Sequence, residues 1–254
     1  MGAWSAGPTG PSPRVVHAST GCASSAVDQF DGYIEQGFGG WGSRAWIVTR
    51  SGNFCTGTDP LGGSDFITAW SMVTDHGEQR YAQSGYFRYC CSDSSPWHFF
   101  AEYWGPNCPN GSFCRVVTSS TTDGGDNKDY YQIYTVGSDY CNHAVQIWAD
   151  GTMLECTYYD PTVCCYGTYW QGPWQEQFQG ETWNSGNDVP GSLDYKASFT
   201  SVGYAPNYWS GSGSPSFDDV GDNPAPSATQ RYYCHENAGP SGFNIWVHGT
   251  PCSG

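Results

Sequence analysis

The run Tyr81-Ala82-Gln83-Ser84-Gly85-Tyr86 reads as a strand. A period of two puts Tyr81, Gln83 and Gly85 on one face and Ala82, Ser84 and Tyr86 on the other. A second run, Gln177-Phe178-Gln179-Gly180-Glu181-Thr182, has the same character: Gln177, Gln179 and Glu181 share a face, and Phe178 and Gly180 turn away. Both set large polar side chains among aromatics, with a glycine nearby. Between them, Trp97–Trp104 places Phe100, Glu102 and Trp104 together. The connection from the first strand to this one is centred near residue 93. An antiparallel hairpin would make Gln83 and Glu102 opposite or diagonal neighbours, about 5–8 Å apart.

Strands of the same kind are predicted on either side. They lie near residues 45–49, 66–73, 115–118, 130–136, 144–148, 153–158, 196–202 and 243–247, separated by turn clusters and without helical periodicity. Asp150-Gly151, between two alternating runs, marks a tight hairpin turn. The pattern predicts an all-β, antiparallel sandwich or jelly roll. Residues 1–20, rich in Gly, Pro and Ser, read as a flexible lead-in. Residues 21–254 read as one β-sandwich domain with a long loop around 208–229.

Composition narrows the function. The 254 residues carry a net charge of −15 with only 9 Lys plus Arg, which repels phosphate backbones and anionic membrane surfaces. No apolar run reaches the length of a membrane span. The 12 cysteines form no zinc-knuckle spacing, and no histidine pair sits at ligand spacing, so neither a metal nor another cofactor is expected. An even cysteine count with few lysines favours a secreted, disulfide-rich protein. The adjacent pairs Cys90-Cys91 and Cys164-Cys165 would each reach separate partners, because neighbouring strand residues face opposite ways. The start, Met1-Gly2-Ala3-Trp4, has no signal-peptide pattern, so secretion implies a mature form or a signal already removed.

One sheet face can thus gather Gln83, Glu102 and Glu181 with several rings. A glutamate can take a proton from water and pass it to a leaving amine. A glutamine amide offers both a donor and an acceptor, to orient that water and then hydrogen-bond an oxyanion. A second carboxylate would raise one pKa of the pair and favour acidic conditions.

The order Ala69-Trp70, Gln83-Ser84-Gly85-Tyr86, Ala101-Glu102-Tyr103-Trp104 and Phe178-Gln179-Gly180-Glu181 resembles the glutamic peptidases. The fungal eqolisins have an Ala-Trp strand, a Gln-Thr-Gly-aromatic strand, an aromatic-Glu-aromatic strand and a strand ending in the catalytic Glu. The plant neprosins share the layout, and uncharacterised bacterial secreted proteins of this type look at least as close. The resemblance covers roughly residues 66–202. It implies a concanavalin-like double sheet, a polypeptide substrate and Gln83 with Glu181 as the catalytic dyad. Trp70 and Glu102 would stand beside the dyad; Tyr81, Trp104 and Gln179 complete the expected substrate-binding set.

The residues alone leave other readings open. Glu102 and Glu181 could instead serve a glycoside hydrolase, whose carboxyl groups must stand about 5–9.5 Å apart. Tyr166, Tyr169, Trp170, Trp174 and Trp183 could form a platform for a polysaccharide in a non-catalytic binding or structural protein. No GxSxG motif accompanies His98 or His143, which argues against a serine-type triad.

Overall fold

The computed structural model describes residues 26–36, 42–50, 66–75, 81–89, 97–104, 114–117, 127–135, 145–156, 173–184, 190–204, 218–219, 232–239 and 241–248. The lead-in, the two adjacent cysteine pairs, the Tyr166–Trp170 aromatics and most of the 208–229 loop lie outside these residues.

The strands are β1 (Ala26–Gln36), β2 (Gly42–Val48), β3 (Phe66–Asp75), β4 (Tyr81–Tyr89), β5 (His98–Trp104), β6 (Cys114–Val117) and β7 (Lys128–Thr135). They continue with β8 (Val145–Ala149), β9 (Thr152–Cys156), β10 (Pro173–Asn184), β11 (Ala197–Tyr204), β12 (Asp218–Asp219), β13 (Tyr232–Asn237) and β14 (Gly242–His248). They form two seven-stranded sheets, ordered β12-β1-β10-β3-β4-β5-β6 and β13-β14-β11-β2-β7-β8-β9. The strand pairs in both are antiparallel, as the sandwich expectation required.

Alternation explains the layering. Tyr33, Phe178, Ala69, Tyr86 and Ala101 turn inward from the first sheet, and Ala45, Ile47, Tyr131, Phe199, Phe243 and Ile245 turn inward from the second. Every second residue therefore enters a dry core, and its neighbour is left for the outer face. Polar ties cross that core among the described residues. Ser43 and Ser71 hydroxyls meet at 2.8 Å. The Ser84 hydroxyl donates to the Trp148 carbonyl at 3.0 Å. The Tyr86 hydroxyl accepts from the Arg50 amide at 3.1 Å. Burial pushes the Tyr86 phenol well above its ordinary pKa, so it stays a neutral hydroxyl.

The Asp150-Gly151 turn forms as read. Both residues have positive φ, 48° and 78°, as a two-residue hairpin of this kind demands. Strand β1 falls where no strand was predicted. Its sequence, AVDQFDGYIEQ, has too little apolar alternation to announce itself, and its register is supplied by β10 on one side and β12 on the other.

Candidate active site

The candidate residues belong to the outer face of the first sheet, whose rows can be counted along β3. Glu181 pairs with Thr68, Gln179 with Trp70, and Gln177 with Met72. Across the other edge of β3, Trp70 pairs with Gly85 and Met72 with Gln83, and Gln83 in turn pairs with Glu102. Glu181, Trp70 and Gln83 therefore lie on one diagonal, with Trp70 at its midpoint.

At one end of the diagonal, the Trp70 indole N–H donates to the Glu181 carboxylate at 2.6 Å. At the other end, one oxygen of Glu102 accepts from the Gln83 amide nitrogen at 2.9 Å and from the Tyr81 hydroxyl at 2.8 Å. Because Glu102 is the acceptor, Gln83 must turn its NH2 toward it, which fixes the orientation of the carboxamide. One amide hydrogen is thereby engaged, and the second hydrogen and the carbonyl oxygen are left for a ligand. Tyr81 in turn stacks on Trp104, ring centroids 6.2 Å apart and planes 16° from parallel.

The face between these groups is enclosed. Trp70, Met72, Phe87 and Phe100 form an apolar cluster on it, with Tyr81 against its edge. Gln83 and Glu102 are each only 8% exposed, while Glu181 is half-buried. Hydrogen bonds to a carboxylate in such a setting are stronger than in water.

The structure thus brings together two groups of the expected residues, Gln83–Glu102–Tyr81–Trp104 and Trp70–Glu181. Gln83 and Glu181 do not touch. Two strand spacings, about 10 Å, separate them across the sheet, and four residues of β3, about 14 Å, along it. Gln179 stands beside Trp70, 2% exposed. Sequence reading missed the apolar members Met72 and Phe87. Their signal was available, since both share a period-two face with Trp70 or Gln83. Glu176 runs the other way: it faces the core and is fully buried. Among the described residues, no three His, Cys, Asp or Glu side chains cluster as a metal site would require.

No family model and no curated protein matches the sequence. Solved structures do match. The chain is similar to scytalido-glutamic peptidase bound to a transition-state analogue inhibitor, with a TM-score of 0.56 and 13% identity, over 88% of this chain and 100% of that one. It is also similar to SCP-B, a member of the eqolisin family of peptidases, in complex with the tripeptide Ala-Ile-His. That match has a TM-score of 0.51 and 14% identity, over 88% and 100% of the two chains. At these identities the likeness is one of fold: the chain has the two-sheet β-sandwich that the eqolisin glutamic peptidases have.

Proposed function

We propose that this protein is a secreted, acid-acting endopeptidase in which Glu181 and Gln83 activate a water held above Trp70. The observation that carries the reading is the diagonal itself. A carboxylate and an oriented carboxamide flank one tryptophan, whose indole N–H already holds the carboxylate. Glu181 would take a proton from the water as its oxygen attacks the peptide carbonyl carbon. The free N–H of Gln83 would donate to the oxyanion of the tetrahedral intermediate. Glu181 would then pass the proton to the amide nitrogen, the C–N bond would break, and acid and amine would leave. Glu102 and Tyr81 would hold Gln83 in place, and extended polypeptide would lie across the strands. The inhibitor- and peptide-bound peptidases of the same fold support a polypeptide substrate. The disulfide at Cys234 and the even cysteine count support an oxidising, extracellular location.

The glycoside-hydrolase reading fares worse. Glu102 and Glu181 are separated by three strand spacings, about 14 Å, and by four residues along the sheet. Glu102 thus stands one strand further from Glu181 than Gln83 does, and its carboxylate already accepts from Gln83 and Tyr81, which suits a holding role better than that of a catalytic partner to Glu181.

The test is degradation of an unfolded protein substrate from pH 2 to 7 by wild type, Glu181→Gln and Gln83→Ala. Acid-side cleavage that falls by about a thousandfold in Glu181→Gln and at least a hundredfold in Gln83→Ala, with folding intact, is expected. Cleavage that survives Glu181→Gln would rule the dyad out. A folded, fully oxidised wild type that cleaves nothing would rule out the peptidase.

A further inference from the structure

Gln179 is a buried polar side chain on this face that the dyad does not use. It stands on β10 between Gln177 and Glu181, both half-buried, and is itself 2% exposed. Its amide nitrogen is buried and has no hydrogen-bond partner. A dry donor left unsatisfied is destabilising, whereas an apolar side chain of similar shape would carry no such penalty. Its row is also unusual. It reads Gly32–Gln179–Trp70–Gly85 across β1, β10, β3 and β4. A Cβ on Gly32 would lie 2.1 Å from the Phe178 carbonyl oxygen and 2.9 Å from the Gln179 Cγ. A side chain at Gly32 would thus collide with the backbone of β10 and the stem of Gln179, and its absence leaves that stem room. A Cβ on Gly85 would likewise lie 2.0 Å from the Ala69 carbonyl oxygen and 2.8 Å from the Trp70 Cβ. Glycines on both flanks let the neighbouring backbones close on this row and leave its two large side chains room.

We propose that the Gln179 carboxamide is an anchor for the substrate main chain. Its Nε2–H donates to a backbone carbonyl of an extended peptide that crosses β10 toward β1, one or two residues from the scissile bond. The proposal rests on the peptidase reading and adds a direction to it. With the reacting carbonyl above Trp70, the anchored carbonyl lies one strand over in the same row, above β10, on the side of Trp70 away from β4. A main-chain carbonyl is a suitable acceptor because every residue of a polypeptide carries one, so the contact sets register without selecting a side chain. A hydrogen bond completed in a dry site is strong, and the substrate would relieve a donor that the free protein leaves unmet.

The experiment compares wild type with Gln179→Met and Gln179→Glu on peptides shortened one residue at a time from each end. Both variants keep the length of the side chain; Gln179→Met loses the donor at every pH, and Gln179→Glu loses it only where its carboxyl is ionised, so Gln179→Met is the decisive arm. We expect kcat/KM to fall about tenfold or more for peptides extended past the cleaved bond on one side. The loss should vanish for peptides that stop short on that side, and the Tm of Gln179→Met should equal or exceed that of wild type. Wild-type rates at every length would overturn the anchor. An equal loss at every length, or a fall in Tm with no length dependence, would also overturn it by making Gln179 part of the reacting centre or of the packing. The wild-type arm reports on the peptidase reading by itself. If wild type cleaves nothing, that reading fails first and takes the anchor with it.

Discussion

Trp70 does two things with one side chain. Its ring covers Met72, Phe87 and Phe100, and its N–H holds Glu181. Trp70→Phe separates the two, keeping a ring and deleting the donor. It is expected to lower kcat about tenfold or more, with a change in Tm of only a few degrees, measured by peptide turnover and thermal melting. An unchanged kcat would mean that the indole serves packing alone. At this scale the sequence was a good guide to the hairpin end of the site. The connection between β4 and β5 made Gln83 and Glu102 opposite or diagonal neighbours, and the structure pairs them directly. It was a poorer guide to what lies between. Alternation gives the face of a residue but not its row, so Trp70 as the midpoint from Glu181 to Gln83 needed the register of β10 on β3. That register spans more than a hundred residues of chain, beyond the reach of any local pattern.

At the scale of the strand, β10 is built to carry polar groups on one side while its other side is clamped. Phe178 is fully buried in the core. A Cβ on Gly180 would lie 2.3 Å from the Ile245 Cδ1 and 3.1 Å from the Pro190 Cδ. Gly180 thus lets β14 press against the strand directly under Glu181. Gly180→Ala should push Ile245 aside and destabilise by about 1–3 kcal/mol, and by displacing β10 it should reduce activity more than stability alone explains. Phe178→Ala should cost about 3–5 kcal/mol through the cavity it opens, read from denaturant unfolding. Losses below 1 kcal/mol in both would show that the clamp is not what holds β10. Gly180 was legible as a gap in the alternation, but its partner was not, because Ile245 comes from the other sheet.

For the whole molecule, the two sheets meet around a core whose buried side chains include the carboxylate of Asp129. Asp129, at the start of β7, has its pKa pushed up to about 6, chiefly by burial and then by the Asp150 charge; the Thr49 hydroxyl, 3.4 Å away, opposes this. In the unfolded chain the same group gives up its proton near 4. Between those values the folded state binds more protons than the unfolded state, so stability falls as pH rises from about 4 to about 6. Thermal melts should therefore give a higher Tm at pH 4 than at pH 7, and Asp129→Asn should flatten that part of the profile. A wild-type Tm no higher at pH 4 would contradict the assignment. The sandwich itself was the most legible level, because strand alternation and turn residues recur along the chain. Strands β1, β12 and β13 were the exceptions; the order of β1 comes from two neighbouring strands and not from its own residues. A higher Tm at pH 4 would suit a site proposed to work in acid.

The central claim is that Gln83 and Glu181 act as one unit across Trp70, and a double-mutant cycle on kcat/KM tests it most directly. Groups that act together are not additive, so removing the second after the first should cost little more. The account predicts that Glu181→Gln with Gln83→Ala is about as inactive as Glu181→Gln alone, all three proteins being folded. Losses that multiply, or a Glu181→Gln protein that still cleaves, would contradict it.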